Sequence, residues 1–240
     1  MRKQKAFFNW SGGKDSAFAL YKIMQNDEYQ INTLLTTVSS EFRRIIQHGV
    51  KEELLDKQAE SLGLPLHKLL MPSNPDMEVY NSMMKKTLEE FKDQDICTGI
   101  FGDIFLEDLR RYREEQFHGM GMQVGFPLWQ YPTGKLVKEF IQLGFKAVVV
   151  CVNGNYLDKS FAGREIDFDF LKDLPENVDP CGENGEYHSF VYDGPVFGKP
   201  VNFTRGEIIK KVYVPPPADH PGSDKYPRVP ETVFWYCDLD

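Results

Sequence analysis

Cysteine is scarce and scattered: the four in 240 residues, Cys97, Cys151, Cys181 and Cys237, form no Cys-x-x-Cys pair. Their spacing argues against a zinc knuckle and a disulfide scaffold, and leaves buried free thiols as the expectation. Long apolar runs are missing too. No segment approaches the roughly 20 apolar residues that cross a bilayer. The stretch behind Arg2, Lys3 and Lys5 is interrupted at Ser11 before a secretory core can form. A cytoplasmic protein away from membranes is expected. Basic residues are outnumbered, 28 against 36 acidic, for a formal charge of −8, which argues against an extended nucleic-acid surface. Arg43-Arg44 and Arg110-Arg111-Arg113 read first as solvated faces and second as local contact points. No internal repeat or low-complexity block suggests an array. With 41% hydrophobic residues the chain can still build a substantial core.

What stands out is Ser11-Gly12-Gly13-Lys14-Asp15-Ser16, between the apolar run Ala6–Trp10 and the helical pattern beginning near Lys14. Two adjacent glycines clear side chains from the main chain, and the amides beyond them form the positive end of a helix, which makes a phosphate cradle. It is not the common P-loop: Phe8 and Asp15 stand where that motif needs Gly and Ser or Thr.

Strand and helix patterns alternate from residue 5 to about 152, and the run Ala147–Val152 reads as a central parallel strand. The expected fold is α/β, a Rossmann-like parallel sheet flanked by helices with a smaller C-terminal α+β region. We divide it into residues 1–154, 155–213 and a Pro-rich, aromatic tail, 214–240, too rich in proline for an interior strand. Helices are expected to start near Gln47 or His48 and at Pro75, the latter burying Val79, Met83, Met84, Leu88 and Phe91. Ligands in such sheets bind at the C-terminal strand ends. Ser11 to Ser16, Thr37-Val38-Ser39, Gly102-Asp103 and Asn153-Gly154 all fall there.

Strand, Ser-Gly-Gly-Lys-Asp-Ser, then helix resembles the PP-loop ATP pyrophosphatases. More narrowly the chain resembles the diphthine–ammonia ligase family over roughly residues 5–195. The matching features are His48 at a helix start, Gln58-Ala59 before Leu62-Gly63-Leu64-Pro65-Leu66, Pro127-Leu128-Trp129 and Gly182 to Phe190. The resemblance implies ATP cleavage between the α and β phosphates, with adenylation of a small-molecule or protein carboxylate, release of pyrophosphate, and amide formation with ammonia. Ser11, Gly12, Gly13 and Ser16 would hold phosphates, with Lys14 neutralising the leaving pyrophosphate. Asp15 would meet Mg²⁺ or brace the loop. Thr37, Val38 and Ser39 would contact the nucleoside or simply cap their strand, and His48 and Gly102 complete the nucleotide-binding set.

Asp103 is a candidate for Mg²⁺ or the reacting group, with helix capping as the alternative. Glu183, Glu186 and His188 would line the acceptor side, the bland alternative being a strand edge with a bonded histidine. Cys181 is a packed thiol before it is a nucleophile, and Glu107, Arg110 and Arg111 form an ion-paired face before a substrate clamp. Family members that make diphthamide tend to carry Gly-Ala-Ile with a following Ser and Tyr-Gln after the fourth strand. This chain has Gly102-Asp103-Ile104-Phe105-Leu106-Glu107, which leaves the acceptor open. A PP-loop tRNA-modifying enzyme and a non-catalytic adenine-nucleotide binder are the rival readings, and a second copy of the chain is a candidate partner.

Overall fold

Phe7 and Phe8 set the layering. Neighbours on one strand, they point to opposite faces, and both are fully buried. The strand that carries them, β1 (Gln4–Asn9), therefore has a core on each side. The structure is a computed structural model and describes residues 3–45, 49–72, 75–213 and 231–240; His48 and the segment 214–230 lie outside the described residues.

After β1 come α1 (Lys14–Met24), β2 (Tyr29–Ser39), α2 (Glu52–Leu62), β3 (Leu66–Met71), α3 (Met77–Lys92), β4 (Thr98–Ile100), α4 (Glu107–Gly119) and β5 (Gln123–Gly125). The five strands form one parallel sheet in the order β3-β2-β1-β4-β5. On one face, Phe7 packs with Leu88 and Phe91 of α3 and Phe117 of α4. On the other, Phe8 joins Phe18 and Leu20 of α1 and Leu55 of α2 in a second, larger core. The chain leaves β1 towards β2 on one side and returns through β3 to β4 on the other. The crevice between β1 and β4 is thus the topological switch point where such sheets bind ligands.

The second sheet is antiparallel. It follows α5 (Thr133–Gln142) and contains β6 (Lys146–Asn153), β7 (Tyr187–Asp193), β8 (Arg205–Tyr213) and β9 (Thr232–Leu239), with the short α6 (Phe168–Asp173) between β6 and β7. Its order is β7-β6-β9-β8. Its inner face shares the larger core: Val148 and Phe190 pack into the same cluster as Phe8 and Phe140.

Two expectations are corrected here. Ala147–Val152 is a central strand, but of the antiparallel sheet, paired with β7 and β9. A continuous apolar run reports burial on both faces, not the direction of the neighbours. The end of the tail is no outer appendage either: Thr232–Leu239 is an interior strand between β6 and β8. The prolines stop at Pro230, and the following Val-Phe-Trp-Tyr run is free to pair.

Helix starts also shift. Residues 43–45 pair back onto 50–52 through the Ile45 N–H to Val50 carbonyl bond and the Glu52 N–H to Arg43 carbonyl bond. After this pairing α2 begins at Glu52, with Lys51 extended before it. Asp76, not Pro75, caps α3 by accepting from the Val79 N–H at 2.8 Å, and Val79 in the first turn is exposed.

Because β9 is interior, a chain ending at Tyr213 should lose the centre of the second sheet along with buried Thr232, Cys237 and Leu239. We expect no cooperative thermal transition from that truncation, against a single sharp one for the full chain, measured by circular dichroism.

Candidate active site

Lys14 opens α1 with its side chain almost wholly buried. Its ammonium donates to Asp15 Oδ2 at 2.8 Å and to the Cys181 carbonyl, and stands 5.2 Å from the centre of the Tyr187 ring. Burial pushes its pKa down, but the acidic surroundings, Asp15 first, more than offset this and hold the group protonated. Three partners from two sequence regions thus fix one cation in a dry site, where charge interactions are strongest.

The loop before it is closed by its own hydroxyls. Ser11 Oγ accepts from the Gly13 N–H at 3.3 Å and donates to Ser16 Oγ at 3.1 Å, while Ser16 Oγ donates to the Gly13 carbonyl at 2.9 Å. The Lys14 N–H goes to Ser189 Oγ on β7, at 3.1 Å. Gly12 has φ of +77°, and a Cβ there would sit 2.8 Å from Gln58 Oε1. Its carbonyl accepts from the Val191 N–H at 2.9 Å and from Gln58 Nε2 at 3.0 Å. Gln58 is fully buried and saturated. Besides Gly12 it donates to the Val191 carbonyl at 2.6 Å, and it accepts from Trp10 Nε1 at 2.9 Å. Gly102 follows β4 and presses on the same loop, since a Cβ there would come 3.2 Å from the Asp15 carbonyl.

The segment 179–188 forms the opposing wall. Asp179 organises it: Oδ1 accepts from the N–H groups of Cys181 at 2.8 Å and Glu183 at 3.3 Å, and Oδ2 from the Thr133 hydroxyl at 2.7 Å. Glu186 is buried and bound to its own turn, accepting from the Asp179 N–H, the Asn184 N–H and Asn184 Nδ2 at 2.8–3.1 Å. Glu183 is different. Burial first, then Asp15, pushes its pKa up to about 8, with Lys14 opposing. Burial, helped by Lys14, pushes His188 down to about 4, so its imidazole is neutral at physiological pH. The Cys181 thiol is pushed well up by burial and donates to the Thr133 carbonyl, as a packed, protonated thiol does.

Asp103 lies at the β4 end, tied by Oδ2 to Arg113 Nε at 2.7 Å; that guanidinium stands 4.1 Å from the centre of the Phe101 ring. Arg110 pairs with Glu114 at 2.6 Å and stands 4.5 Å from the Trp129 ring centre, and Arg111 pairs with Asp108. Of the β2-end residues, Val38 and Ser39 are buried and Thr37 partly so. Ser39 Oγ accepts from the Phe42 N–H at 3.2 Å, which closes the turn after the strand. A cleft of about 520 Å³ opens beside it, with Phe42, Arg44, Lys211 and Tyr236 among its lining residues.

The structure therefore gathers Lys14, Asp15, Glu183 and His188 into one electrostatic cluster. It leaves Glu186 inside its turn and ties one oxygen of Asp103 to Arg113. Sequence reasoning missed Asp179; it quoted Tyr187 and Ser189 within the Gly182–Phe190 stretch, Arg113 within a basic group and Gln58 beside Ala59, but gave none of them a role of its own. Only the polarity of Gln58 at a core position of α2 was there to be noticed.

A parallel sheet that delivers a Gly-Gly-Lys turn and a buried ammonium to its switch point defines a nucleotide-binding type of α/β protein. Within that class, the chain belongs to the diphthamide synthase family: the models of its N-terminal and C-terminal domains match residues 4–124 and 132–213. It is similar to the diphthine–ammonia ligase of Danio rerio, 27% identical over 227 residues covering 83% of this chain and 86% of that protein. It is also similar to the Homo sapiens protein of the same name, 26% identical over 221 residues covering 83% and 82%.

Two outcomes follow from this geometry. Gln58→Ala removes bonds to both carbonyls and strands the Trp10 N–H, so unfolding in urea should cost about 2–3 kcal/mol less, while exposed Lys57→Ala stays within about 0.5 kcal/mol of wild type. For Glu183, the folded-state pKa of about 8 lies above the ordinary 4.5. The unfolded chain then loses this proton first, and the group's contribution to stability falls as pH rises from 4.5 to 8. Glu183→Gln should flatten the decline in melting temperature across that window; an unchanged decline would show that Glu183 titrates normally.

Proposed function

We propose that this protein is an ATP-dependent ligase that adenylates a carboxylate, releases pyrophosphate and forms an amide with ammonia. The observation that carries the reading is the buried Lys14 ammonium at the N-terminus of α1, bonded at once to the loop carboxylate and to the carbonyl of Cys181. The family and the printed name of its relatives, diphthine–ammonia ligase, agree with it.

In this reading the Gly13 and Lys14 amides and the hydroxyls of Ser11, Ser16 and Ser189 exchange their present partners for phosphate oxygens. Gly12 and Gly102 serve the nucleotide side by letting Gln58 and the 15–16 backbone pack close and hold the loop in shape. Thr37, Val38 and Ser39 flank the nucleoside, with the cleft beside Ser39 receiving it. His48 belongs to this nucleotide side by the family resemblance alone.

The acceptor carboxylate attacks the α-phosphorus, the α–β bridging oxygen leaves with pyrophosphate, and Lys14 neutralises the charge that moves there. Ammonia then attacks the acyl carbon, AMP departs, and the extra proton passes to a base. Glu183, poised near neutrality, is the group we assign to receive it, with neutral His188 orienting the amine. Glu186 holds the turn that presents them. Asp103, kept in place by Arg113, faces the acceptor side.

Mg²⁺ fits the loop on one observation: Asp15 Oδ1 is buried without a hydrogen-bond partner among the described residues, as suits a hard cation bound by a single carboxylate and phosphate oxygens. Asp15 is its first ligand candidate and the second oxygen of Asp103 the next. The ion would supply countercharge to the phosphates. Ammonia comes from solution or from a partner protein. No described helix is long and apolar enough to cross a membrane, and we place the protein in the cytoplasm.

Incubation with ATP, Mg²⁺ and a pool of carboxylate metabolites and peptides should yield AMP and pyrophosphate. Lys14→Ala should lower turnover at least ~100-fold, and His188→Ala should lower turnover while ATP still binds. ADP and phosphate as products would sink the proposal.

A further inference from the structure

The two edges of the antiparallel sheet are treated differently. The outer edge of β7 is occupied: the Val191 N–H bonds to Gly12, the Val191 carbonyl accepts from Gln58, and the Tyr192 carbonyl accepts from the Val201 N–H. At the other end, β8 is bare. All nine of its residues are exposed, and among the described residues no strand pairs with its outer side. Ile208, Ile209, Val212 and Tyr213 are each 42–51% exposed. An unpaired edge of nine residues is a template for another strand; its charges, Arg205, Glu207, Lys210 and Lys211, bar most partners and leave only one that answers them.

We propose that β8 is a self-association surface. It pairs antiparallel with β8 of a second copy about a two-fold axis at Ile209 and joins two four-stranded sheets into one of eight.

The charges select both the partner and the register. From Ile208 to Tyr213 the strand alternates regularly against β9. The irregularity between Arg205 and Ile208 places one extra residue against β9, and the proposed pairing takes Glu207, two residues before Ile209, onto the Ile209–Lys211 face. Centring the pair on Ile209 sets Ile209 against Ile209 and Glu207 against Lys211, twice by symmetry. Among the described residues neither Glu207 nor Lys211 has an ion pair. Sliding the pair by one step centres it on Lys210 and opposes two lysines. A further step does the same at Lys211, and a slide the other way sets Glu207 against Ile209. One register matches charge and the others do not, which is how a strand edge specifies its mate. A contact of this size, one strand from each copy, fits a dimer that forms reversibly with concentration.

Sedimentation equilibrium of the full chain, from low to high micromolar concentration, tests the pairing. We expect the mass to rise to twice that of the monomer. Glu207→Lys and Lys211→Glu should each shift the dissociation constant upward at least ~10-fold, and the double exchange should restore it, since the opposed charges are again unlike. These residues are exposed, and circular dichroism should show each variant folded. A wild-type chain that stays monomeric would overturn the proposal and leave the edge to a segment of some other protein. Charge variants that dimerise as well as wild type, or a double exchange that does not restore dimerisation, would overturn the register.

Discussion

A buried ammonium is the constraint on which the rest depends. Taking Lys14 out of water is costly unless its donors are used and its charge is answered. Asp15 answers the charge; the Cys181 carbonyl and the face of Tyr187 complete the surroundings. Two of these three partners come from residues 181–187, so the site can form only when the second sheet is in place. The Gly12 carbonyl and the Lys14 amide make the same demand through Val191 and Ser189. The loop at the end of β1 is therefore shared: one side belongs to the parallel sheet and the other is pinned to β7.

The same arrangement separates acid from base chemistry. Burial acts on Glu183 and His188 in opposite directions, keeping the carboxyl protonated into the neutral range and the imidazole uncharged. The site thus holds its positive charge at Lys14, while Glu183 and His188 stay neutral until Glu183 ionises. Glu186, the more deeply buried of the two, contrasts with Glu183: its oxygens are met by two backbone N–H groups and an amide. That difference separates a carboxyl group bound into its own turn from one whose pKa burial raises.

The parts of the fold legible in sequence were local ones. The Ser-Gly-Gly-Lys turn between β1 and α1, the five alternating strand–helix units and the strand through His188 are short-range patterns of period and turn chemistry. What escaped were pairings between distant residues. The apolar run of β6 announced burial but not antiparallel neighbours. The pairing of β9 with β6 joins segments some 80 residues apart, and the prolines before it pointed the other way. In the site, Lys14 and Ser189 are 175 residues apart and Gln58 and Val191 are 133 apart. No local pattern encodes such contacts, although the motifs that flank them, at 11–16 and 182–190, were visible separately.

The double use of β7, as edge strand and as clamp on Gly12, has a consequence for how damage spreads. Any ligand that grips the loop also holds β7, so occupancy at the first sheet lends cooperativity to the second. The coupling runs the other way as well. A lesion in β9, on the far side of β6, loosens the strand that fixes the Gly12 carbonyl and registers as weakened affinity at a site it never touches. Inherited or engineered changes near the C-terminus would then present as binding defects, and saturating ligand would partly rescue them.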